Sequence, residues 1–356
     1  MIQIVLAGCL SLLFTLIGTP LLIRFLIRKQ FGQFIREDGP REHLTKRGTP
    51  TMGGAVILFA VVASYFFSHL LTWRALTASG LLLLGLTLGL GFIGFLDDWS
   101  KISKQRSLGL NARGKLIGQT LIAVAFAVLV LQFPDRNGVT PGSQFISFVR
   151  DLPWAHLPFI LAVIWIVFLI AAWSNAVNLT DGLDGLAPGS VTLVFAAYAL
   201  INIWQSNQNC ATTISAGIRC YEVRDPVDLA TVSVALAAAC FGFLWWNANP
   251  AKIFLGDTGA LALGGALAGL SVMTRTEVLL GILGFLFVME TLSVTMQVGY
   301  FKLTKGKRIF RMAPIHHHFE LLGWAEVTVV IRFWIICGLC VALGLSIFYA
   351  ESLVTL

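Results

Sequence analysis

Asp97 and Asp98 stand side by side at the end of an apolar run, in the string DDWSK at 97–101. Adjacent carboxylates at a membrane boundary are costly unless they are hydrated, ion-paired or bound to a cation. Trp99 and Lys101 beside them read as interfacial anchors. Three more loops concentrate polar chemistry: NLTDGLDGL at 178–186, NANPAKIFLGDTG at 247–259 and MAPIHHHFE at 312–320. In the first, Asp181 and Asp184 are three apart, so in helical conformation they share a face and can grip one ligand or one ion. Gly182 and Gly185 leave the backbone open to close approach. A plain turn accounts for Gly182 and Asn178 but not for two carboxylates in an otherwise uncharged loop. Asp257, followed by Thr258, Gly259 and a new apolar run, suits a helix N-cap; capping uses one oxygen and leaves the other for a metal. His316, His317 and His318 cannot share one helical face, which argues against a preformed zinc site. Beside Lys305, Lys307, Arg308 and Arg311 they offer donors to an anion.

Oxygen donors with a basic shore suit Mg²⁺, which binds through one or two carboxylates plus substrate phosphates. That combination fits phosphoryl transfer, where alignment and charge neutralisation carry most of the catalysis.

The elements that position these loops follow from composition. The 356 residues are 57% hydrophobic and only 12% charged, with mean hydropathy +0.82, whereas soluble domains carry roughly 25% charged residues. Segments near 3–26, 53–72, 78–96, 115–133, 158–174, 189–205, 229–246, 259–273, 278–300 and 328–350 approach the roughly 20 apolar residues a spanning helix needs. The expected fold class is therefore an all-α polytopic membrane protein of about ten helices, with residues 1–356 as a single membrane domain. The Gly-rich stretch 256–269 is expected to be tilted or broken. The first segment lacks a basic start and a cleavage pattern, so it reads as a span rather than a removable signal.

Lys and Arg cluster in alternate loops, at 28–47, 101–115, 252 and 302–311. The positive-inside rule places that set in the cytoplasm and both termini outside. All four polar loops then face the cytoplasm. The net charge of +7 arises largely in these loops and reads as topology signal and attraction to anionic headgroups. Nothing resembles a nucleic-acid surface. Of the six cysteines, Cys9, Cys240, Cys337 and Cys340 sit in apolar spans and behave as small hydrophobes. Cys210 and Cys220 share an outward loop, where an oxidising compartment allows them to pair. Glu290 and Arg332 fall inside spans; pairing with one another and separate snorkelling both fit.

The strings GTPTMGG at 48–54, GFLDDW at 94–99, NLTDGLDGLA at 178–187, FLGDTG at 254–259 and MAPIHHHFE at 312–320 resemble the polyprenyl-phosphate N-acetylhexosamine-1-phosphate transferases. Within them, APIHHHFE resembles the phospho-N-acetylmuramoyl-pentapeptide transferases. The resemblance covers essentially the whole chain. It implies a ten-helix enzyme, usually a homodimer, of the bacterial cytoplasmic (inner) membrane. Such an enzyme transfers phospho-MurNAc-pentapeptide from UDP-MurNAc-pentapeptide to undecaprenyl phosphate, with Mg²⁺, and releases UMP. It also implies roles: Asp257 as Mg²⁺ ligand, Asp97 and Asp98 as the acidic pair with Asp98 a base toward the lipid phosphate, and His316 as a catalytic or phosphate-contacting residue. Lys46, Asn178, Asp181, Gly182, Leu183, Asp184, Asn247, Phe254, Gln297 and His317 would bind substrate. A break of the ninth span near Glu290 is expected as well. Direct attack by the lipid phosphate and a covalent aspartyl intermediate both fit these residues. Two other functions compete with this one. A GlcNAc-1-phosphate transferase is disfavoured by the triple His, and a secondary transporter by acids that are expected nearly all at one face rather than at the midplane.

Overall fold

The computed structural model describes residues 1–29, 48–104, 109–210 and 220–353; Lys46 lies outside them. Lipid offers the backbone no hydrogen-bond partner, so apolar chain of this kind closes its own i→i−4 bonds as helix. The helices are α1 (Ile2–Arg28), α2 (Gly54–Thr72), α3 (Ala78–Ser103), α4 (Ala112–Val130), α5 (Phe159–Thr180), α6 (Leu186–Asn207), α7 (Pro226–Asn247), α8 (Gly256–Met273), α9 (Glu277–Leu283), α10 (Phe285–Leu303), α11 (Ile315–Glu320) and α12 (Glu326–Leu353). Among the described residues eight helices are long and apolar enough to cross a membrane, or nine when α9 and α10 count as one bent span. The chain is a multi-pass, all-α membrane protein.

The expected segment not among these is the eighth, 259–273, which is α8, enclosed from Thr258 to Met273. A helix that is apolar all round belongs at the centre of a bundle, and the small residues of α8 let α2, α3 and α5 pack close around it. Of the tilt or break expected for this Gly-rich stretch, the break does not occur: α8 is continuous from Gly256 to Met273, packed between α2, α3 and α5. The break falls instead at Gly284, which ends α9 and begins α10, and the two helices diverge by 85°. That is six residues before Glu290, the position expected for it.

The ends of the bundle differ. At one, the loops 48–54, 109–115, 181–185 and 247–257 meet. At the other, a short hairpin of β1 (Phe145–Ser147) and β2 (Asp151–His156) pairs Phe145 with His156 and Ser147 with Asp151. It packs on α9, where the Ser147 N–H donates to Glu277 Oε2 at 3.1 Å. Cys210 and Cys220 form a disulfide at this end.

Acids are not confined to the first end, contrary to expectation. Asp228, at the start of α7, is buried and accepts from Tyr65 Oη at 2.8 Å, Thr77 Oγ1 at 2.7 Å and Gln3 Nε2 at 3.1 Å, with His69 Nε2 at 3.1 Å. One carboxylate thereby ties four helix ends, α1, α2, α3 and α7, across the face opposite the polar loops. Removing one partner of such a buried set strands the others. Asp228→Ala should therefore cost roughly 3 kcal/mol of stability, read as a lower thermal-unfolding midpoint in detergent; an unchanged midpoint would deny the network its role.

Candidate active site

Three carboxylates converge at the first end. Asp97 and Asp98 sit in the last two turns of α3, and Asp257 in the first turn of α8. Their oxygens come within 4.8 Å of one another. Asp97 is 3% exposed and Asp98 1%, which excludes the reading of two solvated loop acids. Backbone contact makes the convergence possible: a Cβ on Gly94 would lie 2.1 Å from the Asp257 carbonyl oxygen, so α3 meets α8 without a side chain between them. Gly94→Ala should push the helices apart at this level and cost 1–3 kcal/mol of stability. Turnover should fall at least about tenfold, since displacements near 1 Å are enough to spoil an aligned site; near-wild-type turnover in the folded variant counts against the contact.

The sequence points to Asp257 as a helix cap, but Asp98 does that work from another helix. Asp98 Oδ1 accepts from the Asp257 N–H at 3.2 Å, and Oδ2 from the Thr258 N–H at 3.0 Å and hydroxyl at 2.7 Å. These are orphan donors of the α8 N-terminus, and a carboxylate facing them is stabilised by the helix dipole as well. Asp257 is thereby freed. Its Oδ2 accepts from Lys101 Nζ at 2.9 Å and Lys115 Nζ at 2.7 Å. Lys101 also lies 2.7 Å from Asp97 Oδ2 and 3.6 Å from Asp98 Oδ1, while the Leu110 N–H donates to Asp97 Oδ1 at 2.9 Å.

Lys101 is thus no interfacial anchor. The spacing Asp97 to Lys101, i to i+4, was a signal for this that the sequence did carry. Lys115, 142 residues from Asp257, had no local signal at all. The set is all oxygen, partly open at Asp257, and negative enough to gather two ammonium groups, which is the chemistry a Mg²⁺ site requires.

The loop 181–185 is a turn, not a helix, so Asp181 and Asp184 part company. Asp181 ends α5 and takes a hydrogen bond from the Gly256 backbone, beside the cluster. Burial, then the charges of Asp257, Asp98 and Asp184, push its carboxyl up to about 8. A bound cation would oppose that push. A carboxyl whose folded pKa is raised stabilises the fold while protonated and loses that contribution as pH rises through the folded value. With divalent cations chelated, the melting temperature should therefore fall between about pH 4 and about pH 8, and Asp181→Asn should flatten the slope; an unaltered slope would acquit Asp181.

Asp184 turns the other way. Its Oδ2 accepts from the Ala251 N–H at 3.0 Å and Asn249 Nδ2 at 3.2 Å, and its own N–H donates to Glu326 Oε1 at 2.8 Å. Asn247 ties the same loops, accepting from the Gly185 N–H at 3.0 Å and donating to the Ile253 carbonyl at 2.8 Å. Leu183 is core, Asn178 is half-buried on α5, and Phe254 pairs its backbone with Pro50 and Gly53. Asp184, Asn247 and Leu183 are thus buried where these loops meet.

The histidines divide likewise. His318 Nδ1 accepts from the Arg311 N–H at 3.1 Å, and His317 Nδ1 lies 2.7 Å from Glu320 Oε2. Gln297 latches the preceding loop, accepting from the Ile309 and Phe310 N–H groups at 3.0 Å each. A cavity of about 500 Å³ beside it is lined by Gln297, Phe301, Lys302, Arg308, Arg311 and Met312 among others, and by none of the aspartates. His316 is fully buried and lies 3.1 Å from Glu290. The alternative pairing of Glu290 with Arg332 does not form: the bend at Gly284 turns Glu290 toward α11, and Arg332 stacks on Trp324 at 4.0 Å.

Comparison with known proteins adds the family. Residues 80–275 match the model of glycosyl transferase family 4, and residues 46–58 match the phospho-N-acetylmuramoyl-pentapeptide-transferase signature 1. A phospho-N-acetylmuramoyl-pentapeptide-transferase of Cutibacterium acnes is 63% identical over 98% of both chains. One of Streptomyces avermitilis is 59% identical over 98% of both, and one of an Arthrobacter species 58% identical over the full length of both. With whole-length identity at this level, the chain belongs to the phospho-N-acetylmuramoyl-pentapeptide-transferase family.

Proposed function

We propose that this protein transfers phospho-MurNAc-pentapeptide from UDP-MurNAc-pentapeptide to undecaprenyl phosphate, yielding undecaprenyl-diphospho-MurNAc-pentapeptide and UMP in peptidoglycan synthesis. The observation that carries the reading is full-length identity near 60% to transferases of that name. The aspartate cluster joins it as a centre suited to a diphosphate and its cation.

In this reading Asp257, with Asp97 and Asp98 around it, holds Mg²⁺. Bound there, Mg²⁺ would neutralise charge on the diphosphate as the bond to UMP breaks. Lys101 and Lys115 stand ready to meet phosphate oxygens. Asp98 keeps the α8 N-terminus, itself a favourable place for an anion, aimed at the same point. Asp97 and Asp257 retain more free acceptor capacity than Asp98 for any proton movement at the lipid phosphate. The cavity beside α10 offers an apolar wall together with Lys302, Arg308 and Arg311, a pairing suited to a polyprenyl phosphate entering from the bilayer.

The site faces the cytoplasm of a bacterial cytoplasmic (inner) membrane. Support comes from the Lys- and Arg-rich loops that share its end of the bundle and from the disulfide at the opposite end. Two copies act as a homodimer, which the family resemblance supports and native mass spectrometry in detergent tests.

The deciding experiment is UMP release by purified protein given undecaprenyl phosphate and Mg²⁺, with UDP-MurNAc-pentapeptide or UDP-GlcNAc as donor and a metal-free control. Release only with the muramoyl donor and Mg²⁺ is expected. Release with UDP-GlcNAc alone would overturn the donor assignment, and silence with both in folded protein would overturn the reaction.

A further inference from the structure

Outside the aspartate cluster, Glu290 on α10 and His316 on α11 are both wholly enclosed. His316 Nδ1 lies 3.1 Å from Glu290 Oε1. Among the described residues, no group completes an aligned hydrogen bond to a polar side-chain atom of either. An enclosed carboxylate facing one ring nitrogen favours the proton on that nitrogen. The proton then sits on Nδ1, on the Glu290 side of the ring but out of line with its oxygens, and Nε2 occupies the opposite edge of the ring.

That opposite edge meets Gly182. A Cβ there would lie 2.3 Å from Nε2 and 2.9 Å from Cε1, so the ring rests directly against the backbone of the turn that carries Asp181. The turn bearing Glu290 is itself fastened to α11: Ser293 Oγ accepts from the Ile315 N–H at 3.0 Å and donates to the Glu290 carbonyl at 2.7 Å. Glu290, His316 and Gly182 thus form one stack running from the broken span to the loop beside Asp257.

We propose that Glu290 is a positioning residue for the donor site: it fixes the tautomer and rotation of the His316 ring, and the ring sets where the 181–184 loop stands. This rests on the transferase reading above. His316 then acts through Gly182 rather than by touching phosphate.

The test uses the full chain with Glu290→Gln, which keeps size and one acceptor oxygen but removes the charge, and Glu290→Asp, which keeps the charge. Glu290→Gln should raise KM for UDP-MurNAc-pentapeptide by roughly 10- to 100-fold, the order seen when the partner that orients a metal-binding His is lost. KM for undecaprenyl phosphate, Mn²⁺ affinity and melting temperature should stay near wild type, and Glu290→Asp should recover part of the loss. A wild-type donor KM in Glu290→Gln, or equal rises for both substrates with a lowered melting temperature, overturns the proposal. A second readout needs no turnover: ¹⁵N shifts of the ring, assigned with His316→Gln, should show the Nδ1–H tautomer in wild type and its loss in Glu290→Gln. Should wild type release no UMP, the transferase reading fails, and this signal alone decides, with retention of the tautomer in Glu290→Gln refuting the positioning role.

Discussion

Asp257→Ala should lower the rate of UMP release by at least roughly 10²-fold, the scale of losing a principal electrostatic contact in a preorganised site. Asp257 Oδ2 is where the Lys101 and Lys115 ammonium groups meet, and Asp257 is the least buried of the three clustered acids, so under the proposed function it is the carboxylate that a diphosphate and its cation would reach first. Alanine removes that oxygen and leaves two ammonium groups without their shared acceptor. Stability should change far less than activity, because Asp98 rather than Asp257 caps α8. The measurements are turnover and Mn²⁺ binding on the purified variant beside a melting curve. Turnover close to wild type would remove Asp257 from the mechanism.

Asp98→Asn should also cost at least roughly 10²-fold in turnover, but with a different signature. Asparagine cannot accept at both ends: its amide must turn an N–H₂ group toward either the Asp257 N–H or the Thr258 N–H and hydroxyl, all of which now donate to Asp98. The first turn of α8 then keeps only part of its cap and leaves a buried donor unsatisfied, a loss of about 1 kcal/mol or more, along with the negative charge that balances the helix dipole. Activity and melting temperature should fall together, whereas Asp257→Ala separates them. A variant that melts like wild type yet turns over slowly would make Asp98 a chemical participant and not an anchor. One that keeps both would exclude it from the site.

Much of this architecture is readable along the chain, since a lipid-spanning helix must satisfy its own backbone and advertise itself as an apolar run. The polar loops are equally visible, because charge in so apolar a chain has few places to sit. Pattern fails where a residue's partner is remote. Asp181 and Asp184 look like a matched pair at helical spacing, yet a turn sends one to Gly256 and the other to Ala251. Asp257 looks like a cap, and the cap comes from Asp98, 159 residues earlier. Glu290 and Arg332 invite pairing as charges in neighbouring spans, but the 85° bend at Gly284 delivers Glu290 to His316.

The sequence by itself determined the membrane class, the positions of most of the apolar helices, the loops that carry the chemistry and the family. Each of these is written in composition or in contiguous strings. Only the tertiary structure decided which carboxylates come together, that Lys101 and Lys115 share Asp257, and that His316 is enclosed under Gly182. Those outcomes depend on the approach of helices far apart in the chain, on α3 reaching α8 across Gly94 and on the direction α10 takes after its bend. Such distances are set by packing between surfaces, which no local spacing encodes.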